Sequence, residues 1–322
     1  MEPLVFEPIL KRIRWGGRKL GTSLGKPIGD EADYAESWEI ADHDQGTSVV
    51  ASGPWQGRTL SDLLKTSGEE LLGRQAGATQ FPLLIKFLDA NDWLSLQVHP
   101  DDRKARRYDP GENGKTEAWI IMEAAPDSRI CCGLKAGVTR EQLRDALVTN
   151  ELEHLLHLIP VTAGDCVFVP AGTVHALGPG IVLAEIQQQS NLTFRLYDWG
   201  RMGTDGKPRP IHVEESLDCT AFDRGPVNCV HPVHLCDEFH SFEELVRCDH
   251  FVIRRHRSLD PWQLQNDGRF RVLLTVSGQA LISTDETIHA TRIGSTVLIP
   301  ASSPQVTVTP RGDVVILEVL CP

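Results

Sequence analysis

The chain contains an internal repeat that limits its possible folds more than any other feature. Residues 163–171 have the sequence AGDCVFVPA, and residues 293–301 have the sequence IGSTVLIPA. Gly, Val, Pro and Ala coincide between the two segments, and the other apolar positions match in character. Each copy therefore predicts a glycine turn followed by a short strand that ends at Pro-Ala. Such a repeat indicates that one β-rich unit occurs twice in the chain.

Strand patterns also dominate the rest of the sequence. Short runs rich in Val, Ile and Leu recur between Gly, Pro, Asn and Asp clusters, as in PLLIKFLDAND, AWIIMEAAPDS, IVLAEIQQQ and FRVLLTVSG. Helical spacing is confined chiefly to residues 59–72 and 139–158, and the second stretch begins with a capping-box pair, Thr139 and Gln142. We predict a mainly β fold with a helical insertion at about residues 139–158.

The two copies of the repeat continue differently. The first copy runs on to Gly-Thr-Val-His175, whereas the second has Ser-Ser-Pro-Gln305 at the corresponding place. This strand and turn resemble the second half-motif of the cupin barrel, which implies two cupin-like jelly-roll barrels. Because the strand pattern lapses between Pro226 and His240, we expect a catalytic, metal-binding domain at 1–235 and a degenerate domain at 236–322. We expect the second domain to bind no metal and to serve packing.

Charge and composition exclude several classes of function. The 322 residues carry a formal net charge of -12, which is a poor match for a nucleic acid or another extended polyanion. The first residues lack the pattern of a secretion signal, and prolines interrupt the longest uncharged runs, so we expect a cytoplasmic protein that does not enter the membrane. The eight cysteines include no C-x-x-C pair, which favours free thiols over disulfides.

Two short segments carry polar groups at strand spacing. In LSLQVHPDD, the alternation of a strand places Ser95, Gln97 and His99 on one face. In GKTEAW, the same spacing places Lys115 and Glu117 together. Taken separately, the first pattern also fits a half-exposed strand and the second a solvated ion pair.

The two segments gain meaning when they are combined with His175. Gln97, His99, Glu117 and His175 would supply an amide oxygen, two imidazoles and a carboxylate, which form a plausible shell for one divalent metal ion. This ligand set suits zinc in a catalytic role, although manganese, cobalt or iron would also accept it. The segment Cys229–Cys236 and the pair His154 and His157 offer further ligand types, but neither has the spacing of a typical zinc site.

A basic spot lies in an otherwise acidic chain. The stretch AEIQQQSNLTFRLYDWGR places Glu185, Gln187 and Gln189 on one strand face and provides Arg195 and Arg201 beyond it. Guanidinium groups bind phosphate in a bidentate manner and stabilise developing negative charge. The alternative is that these side chains only cover the outside of a barrel.

Several motifs together resemble one family. LSLQVHPDD, GKTEAW, VPAGTVHAL and SNLTFRLYDWGR, with RIRWGGRKL and ESWEIADH near the start, are similar to the type I mannose-6-phosphate isomerases, particularly the short bacterial form. The resemblance covers most of residues 5–217. It implies an aldose-ketose isomerase that interconverts mannose 6-phosphate and fructose 6-phosphate through an enediolate. It also implies one zinc ion per chain, bound by Gln97, His99, Glu117 and His175.

The same resemblance implies roles for residues around the metal. Arg195 matches a catalytic arginine, and Glu185 matches a proposed proton-transfer residue. Ser95 and Lys115 match positions close to the substrate, where Lys115 is also a catalytic candidate. Arg201 stands where longer family members have a phosphate-contacting lysine. Two other functions remain open at this point, an iron-dependent cupin oxygenase and a non-catalytic cupin that binds a sugar phosphate.

Overall fold

The computed structural model describes residues 1–149, 151–203, 206–236 and 240–322 of the chain. Strands predominate over helices, as the sequence predicts. The strands of the first half are β1 (Ile9–Gly17), β2 (Tyr34–Ile40), β3 (Asp42–His43), β4 (Gly46–Thr47), β5 (Leu83–Ala90), β6 (Leu96–Val98), β7 (Glu117–Ala124), β8 (Arg129–Leu134), β9 (Leu156–Pro160), β10 (Cys166–Val169), β11 (His175–Leu177), β12 (Ile181–Gln188) and β13 (Phe194–Tyr197). Those of the second half are β14 (Val233–Cys236), β15 (Ser241–Arg247), β16 (Val252–Ser258), β17 (Trp262–Gln263), β18 (Arg271–Ser277), β19 (Gln279–Ser283), β20 (Ile288–Arg292), β21 (Thr296–Ile299), β22 (Thr307–Pro310) and β23 (Val314–Leu320).

Each half contains a large sheet and a smaller one. The large sheets both have six strands, in the orders β1-β2-β5-β12-β7-β10 and β14-β15-β16-β23-β18-β21. The smaller sheets have the orders β13-β6-β11-β8-β9 and β17-β22-β19-β20. All strand pairs within these sheets are antiparallel. Among the described residues each sheet has an open strand order, so the predicted barrels are observed as pairs of facing sheets.

Strand alternation explains how these sheets stack. On β12, Val182 and Ala184 belong to a core cluster shared with Leu317 and Val319 of β23, so the two six-stranded sheets contribute to one common core. Leu183 on β12 and Ile316 on β23 lie at alternate positions and face the other side of their sheets. They belong to two separate cores, one in each half, between the large sheet and the smaller sheet of that half. The second half therefore supports the back of the sheet that carries Glu117.

The repeat behaves as predicted in both halves. Gly164 and Gly294 have positive φ angles of 97° and 84°, a conformation that glycine adopts without steric cost. The strands that follow them, β10 and β21, form the same edge of the two six-stranded sheets. The antiparallel bridge between Leu4 and Leu298 then attaches the start of the chain to β21.

The structure contains five α-helices in its described residues, and one predicted helix is shorter than expected. The helices are α1 (Lys19–Thr22), α2 (Leu60–Leu72), α3 (Asp102–Tyr108), α4 (Arg140–Thr149) and α5 (Val213–Cys219). Helix α2 confirms the prediction for residues 59–72, and Thr59 forms its capping box with Asp62. The prediction of a helix over 139–158 is wrong for residues 151–158, where a 3-10 turn leads into strand β9, and residue 150 lies outside the described residues. Ile159 of β9 pairs with Ile130 of β8 and enters the core, so sheet pairing overrides the local helical spacing.

The predicted division of the chain remains a prediction. Strand β14 begins at Val233 and pairs with β15, so strands of the second half start before the expected boundary at 235/236. Residues 237–239 of that stretch lie outside the described residues. All eight cysteines are free. Among the helices of the described residues, none combines the length and apolar character needed to cross a membrane.

Candidate metal and substrate site

Three ligand-type side chains come together where strands of the two facing sheets of the first half begin or end. Glu117 is the first residue of β7, His175 is the first residue of β11, and His99 directly follows β6. His175 pairs with Gln97 of β6 in the strand register. The turn before His175 is fixed by Gly172, whose backbone N–H donates to His99 O at 2.8 Å and whose φ of 88° favours glycine.

The ligand atoms of these three residues converge in the interior. His99 Nε2 lies 3.5 Å from Glu117 Oε2, and His175 Nε2 lies 3.4 Å from Glu117 Oε1. One ligand atom from each residue lies within 4.8 Å of the others. All three side chains are almost completely buried.

Backbone carbonyls fix the proton positions on both imidazole rings. His99 Nδ1 lies 3.0 Å from Leu192 O, and His175 Nδ1 lies 2.9 Å from Thr173 O. Because a carbonyl oxygen only accepts, Nδ1 must carry the proton in each ring. Burial lowers the pKa of His99 well below its usual range and lowers the pKa of His175 to about 4, so both rings are neutral near pH 7. Each ring therefore presents an Nε2 lone pair to the Glu117 carboxylate.

This arrangement fits a cation. Within the described residues, His99 Nε2 and Glu117 Oε1 are buried without a hydrogen bond, and the Lys115 ammonium group lies 3.0 Å from Glu117 Oε2. Buried polar atoms are rarely left without hydrogen bonds, and lone pairs that face a carboxylate repel it. Two imidazoles and one carboxylate are a common ligand set for a catalytic divalent metal ion, which would satisfy all these atoms at once. The donor set is therefore consistent with a divalent metal site.

Gln97 lies beside the three ligands but is oriented differently. Its Nε2 donates to His175 Nε2 at 3.2 Å, and its Oε1 accepts from Ser95 Oγ at 3.4 Å. To offer its oxygen to a metal ion, the Gln97 amide would have to rotate by half a turn, a change that is small in shape because the two amide atoms are alike in size. Ser95 is buried beside it, as the strand alternation predicts.

A chain of buried charges extends from Glu117 into the six-stranded sheet. Lys115 Nζ lies 3.0 Å from Glu117 Oε2 and 3.8 Å from Glu185 Oε1. Lys86 Nζ lies 3.5 Å from Glu185 Oε1 and 3.3 Å from Glu36 Oε2. Lys115 and Glu117 are thus a buried ion pair rather than the solvated pair that the sequence alone favours.

The Glu185 carboxylate has two differently occupied oxygens. Trp119 Nε1 donates to Oε2 at 3.1 Å, whereas Oε1 faces the two lysines. Burial raises the pKa of Glu185 and outweighs the opposing effect of Lys115. A carboxyl group with a raised pKa beside a cavity is suited to accept and return a proton.

These charged groups border a cavity of about 460 Å³. Gln97 and Lys115 lie on its wall, and they also contact His175 and Glu117, respectively. The charged and titratable side chains on the wall are Glu36, Lys86, Asp109, Glu112, Lys115, Glu185, Arg195, Arg209 and His212. Ser95 contributes a hydroxyl group. The cavity wall therefore combines cationic, anionic and neutral polar side chains.

The two arginines singled out from the sequence have different positions. Arg195 of β13 lines the cavity, and its strand pairing places it opposite Gln97. Arg201 is absent from the cavity wall, because its guanidinium is bound to Asp198 at 2.8 Å, to Asp92 at 2.9 Å and to the carbonyl oxygen of Trp93. A role for Arg201 in binding substrate remains a prediction.

Sequence reasoning missed six of the nine charged and titratable residues of the cavity wall, among them Lys86, Glu36 and Arg209. Lys86 is a single cation in the apolar run LLIKFLDA, and a lone charge inside a buried strand could have indicated a site. Glu36 lies in the segment ESWEI and shares a strand face with Trp38, which pairs with Lys86, so only the sheet register brings Glu36 near that lysine. Arg209 lies outside the regular elements, so no periodic signal identifies it.

Comparisons with known proteins point to one family. Residues 4–135 match the family model described as phosphomannose isomerase type I, catalytic domain. The mannose-6-phosphate isomerase of Streptococcus mutans serotype c is 36% identical over 299 residues, which cover 93% of this chain and 92% of that protein. The mannose-6-phosphate isomerase ManA of Bacillus subtilis is 35% identical over 300 residues, 93% of each chain. The crystal structure of the mannose 6-phosphate isomerase from Bacillus subtilis matches with a TM-score of 0.91 at 28% identity and covers 99% of both chains. The similarity therefore extends over both halves of the molecule.

Proposed function

The chain belongs to the type I phosphomannose isomerase family and is an isomerase, and we propose that it interconverts mannose 6-phosphate and fructose 6-phosphate. The observation that carries this proposal is the convergence of His99, Glu117 and His175 beside a cavity with buried acid and base groups. An aldose-ketose isomerase needs a group that polarises the carbonyl and a group that moves a proton between C1 and C2. The site offers candidates for both.

His99, Glu117 and His175 would hold the metal ion, with Gln97 as a weaker fourth ligand. A bound divalent ion supplies Lewis-acid polarisation of the carbonyl and the adjacent hydroxyl group. We propose one zinc ion per chain, because two imidazoles and one carboxylate suit zinc in a catalytic role. The histidines are prepared for this task, since their Nδ1–H groups are already bound to backbone carbonyls.

Glu185 is proposed to carry the proton between the two carbon atoms. Its Oε2 is held by Trp119, which leaves Oε1 on the cavity side next to the lysines. This carboxylate would remove the C2 proton of mannose 6-phosphate and deliver it to C1, while the proton of the C2 hydroxyl group moves to the C1 oxygen, so that the carbonyl group ends on C2. One carboxylate can serve both steps because it returns the proton that it accepts.

Lys115 and Arg195 are proposed to balance the negative charge that forms on the substrate oxygens. Lys115 lies between Glu117 and Glu185, so it adjoins both the metal ligands and the proton-transfer group. Arg195 faces the same cavity with a buried Nε that has no hydrogen-bond partner within the described residues. Donors that are fixed before the reaction stabilise a developing charge at little reorganisation cost. Ser95 is proposed to bind a substrate hydroxyl group.

The proposal extends to the architecture and the location of the protein. We propose that the two halves are cupin-like units, divided near residue 235, and that the second is degenerate. We propose a cytoplasmic location, because all eight cysteines are free, as is usual for proteins of a reducing compartment. The substrate is a small sugar phosphate, and neither a nucleic acid nor a membrane surface is needed as a partner.

The test uses purified full-length protein whose metal content has been measured. Mannose 6-phosphate is added in D₂O, and NMR follows both fructose 6-phosphate formation and deuterium incorporation at carbon. Turnover with carbon-bound exchange supports an enediolate pathway. Oxygen consumption in the presence of ferrous iron would instead identify an oxygenase, and sugar-phosphate binding without turnover would identify a non-catalytic protein.

Glu185→Gln tests the proton-transfer role within that assay. The amide keeps the size of the side chain but does not accept the proton, so kcat should fall by roughly 10²- to 10⁴-fold. Glu141→Gln is a matched control, because Glu141 is an exposed acid on helix α4. Undiminished carbon exchange in Glu185→Gln would assign the proton transfer to another residue.

A further inference from the structure

Arg209 is a cation of the cavity wall to which no role has been assigned. Its Nε donates to Asp198 Oδ2 at 2.7 Å, and one of its Nη atoms, Nη2, donates to Asp198 Oδ1 at 2.5 Å. This bidentate contact fixes the guanidinium plane. The other terminal nitrogen, Nη1, makes no hydrogen bond to the residues that the structure describes. About a fifth of the side chain is exposed, so this nitrogen remains available to a ligand in the cavity.

The donors of Arg201 are already used within the protein. Its Nε donates to Asp198 O at 3.2 Å, and Nη2 donates to Asp198 Oδ1 at 2.8 Å. Its Nη1 donates to Asp92 Oδ2 and to Trp93 O. Every nitrogen of the Arg201 guanidinium thus donates to a protein oxygen, and the side chain does not reach the cavity wall.

Arg195 and Arg209 are neighbouring cations whose charges are only partly neutralised by the protein. Arg195 Nη1 donates to Pro210 O, and its buried Nε has no hydrogen-bond partner within the described ranges. Burial lowers the pKa of Arg195, and the nearby charge of Arg209 lowers it further. Asp198 is the carboxylate next to them, but it is shared between Arg201 and Arg209. An anionic group of a ligand in this part of the cavity would reduce the electrostatic repulsion between Arg195 and Arg209.

The positions of Arg195 and Arg209 also indicate how a sugar phosphate would be oriented in the cavity. Arg195 lies opposite Gln97 in the strand pairing, which places it on the side of the metal-ligand candidates. Asp198 follows three residues later, beyond the end of β13, and holds Arg209 there. A sugar whose reacting carbons lie near Gln97 would extend past Arg195 towards Arg209.

We propose that Arg209, fixed by Asp198, binds the phosphate group of the sugar phosphate, and that Arg201 is a positioning residue that acts through Asp198. This assignment rests on the proposed function for the identity of the substrate. The phosphate does not react, so its contact with Arg209 contributes equally to the ground state and the transition state. The cost of losing it should therefore appear in KM and in binding, with little change in kcat.

The test compares Arg209→Ala, Arg209→Lys and Arg201→Ala in the full-length, metal-loaded protein. Mannitol 6-phosphate serves as the binding probe in isothermal titration calorimetry, because it carries the phosphate but no carbonyl group and cannot be isomerised. A charge-assisted hydrogen bond lost from Arg209→Ala should weaken binding by roughly ten- to a hundredfold. Arg209→Lys should recover part of the loss, and Arg201→Ala should lose less than Arg209→Ala. KM for mannose 6-phosphate should follow the same order, with kcat within about threefold of the wild type.

Arg144→Ala is the matched control. Arg144 also contacts both oxygens of a single carboxylate, that of Glu214, but it lies on exposed helix α4 away from the cavity. This variant should bind mannitol 6-phosphate as the wild type does. Circular dichroism and the unfolding midpoint of each variant establish that it is folded.

Two results would overturn the assignment. One is wild-type affinity for mannitol 6-phosphate in folded Arg209→Ala. The other is a greater loss in Arg201→Ala than in Arg209→Ala, which would place the phosphate on Arg201. If the wild type binds mannitol 6-phosphate but does not isomerise mannose 6-phosphate, the proposed function fails, and the calorimetry still decides the phosphate assignment.

Discussion

The two halves of the molecule share one sheet plan but use the same positions for opposite purposes. Glu117 pairs with Val169 on the neighbouring strand, and Arg271 pairs with Ile299. The repeated sequence aligns Val169 with Ile299, so Glu117 and Arg271 occupy equivalent positions. A carboxylate that is a metal-ligand candidate in the first half is thus replaced by a guanidinium in the second.

Other parts of the charged network are kept in both halves. Glu185 pairs with Lys86 in the first half, and Glu318 pairs with Arg254 at the same register in the second. In the second half, Arg271 Nε donates to Glu318 Oε1 at 2.5 Å, and His256 Nε2 lies 3.2 Å from Glu318 Oε2. The buried Glu318 carboxylate is therefore neutralised by cations of the chain itself.

The difference shows how the same arrangement of sheets can either form a candidate metal site or only stabilise the fold. The first half leaves Glu117 Oε1 and His99 Nε2 without hydrogen bonds among the described residues, which suits a cation from outside the chain. The second half fills the corresponding place with Arg271. Strand β13, which carries Arg195, also has no counterpart among the described strands of the second half.

The strongest test of this difference removes the proposed ligands. The double variant of His99→Ala and His175→Ala should lose both the bound metal ion and the isomerase activity, because the Glu117 carboxylate alone offers too few donors. We expect activity to fall by at least about 10³-fold, which corresponds to roughly 4 kcal/mol of transition-state stabilisation. Metal analysis by mass spectrometry and a coupled assay measure the two effects.

Gln97→Ala provides a graded comparison with that variant. An amide oxygen is a weaker ligand than an imidazole or a carboxylate, so the metal affinity should fall less than in the histidine variants. Retention of a stoichiometric metal ion by the double alanine variant would show that the metal binds elsewhere and would remove the proposed distinction between the halves.

Glu318→Gln tests whether its carboxylate, equivalent in register to Glu185, serves stability in the second half. The amide removes one of the two carboxylates that neutralise the buried Arg271, the other being Asp267, and breaking a buried ion pair typically costs up to about 3 to 5 kcal/mol. Urea unfolding should show this loss, while the kcat of the folded variant should change little. Glu185→Gln should show the opposite pattern, a large loss of kcat with a smaller loss of stability. Equal effects of both variants on kcat would contradict a division of labour.

The pH dependence of the unfolding free energy is a second test of the stabilising role of Glu318. Burial alone would raise the pKa of this carboxyl group, but the hydrogen bond and charge of His256 and the charges of Arg271 and Arg254 outweigh it and hold the pKa well below its usual range. A group whose pKa is lower in the folded state stabilises the protein above its unfolded pKa of about 4.3 and loses that contribution as the pH falls.

The difference in unfolding free energy between the wild type and Glu318→Gln should therefore shrink as the pH falls from about 5 to 3, by at most about 1.4 kcal/mol per pH unit. Urea unfolding at several pH values measures it. A difference that stays constant over this range would mean that Glu318 is not the titrating group.

Much of this architecture follows from local sequence features. The repeat predicts strands β10 and β21, and alternation on LSLQVHPDD predicts that Ser95 and Gln97 face one side. The resemblance of the motifs to one family is confirmed by the comparisons. These features are local, since a strand period or a turn motif is complete within about ten residues.

Other parts of the site depend on contacts that the sequence does not encode locally. Arg201 looks available in the sequence, but Asp92 and Asp198 occupy its donors, and Asp92 is 109 residues away. Residues 156–158 belong to the predicted helical stretch, but pairing with β8 makes them part of strand β9. Lys86 and Glu185 are also distant in sequence, and only the sheet register brings them together. Salt bridges decided the outcome for Arg201, and strand pairing decided the other two.

The smallest expected effect concerns Gln305, which stands where His175 stands in the first copy of the repeat. Its Nε2 donates to Leu264 O at 2.7 Å, so the side chain is already used to bind backbone. Gln305→Ala should cost only about 1 kcal/mol of stability, the usual net value of one hydrogen bond. Metal content should stay at one ion per chain, because Arg271 places a positive charge at the position equivalent to Glu117. Two metal ions in the wild type, with one lost in Gln305→Ala, would show that the second half retains a metal site despite that charge.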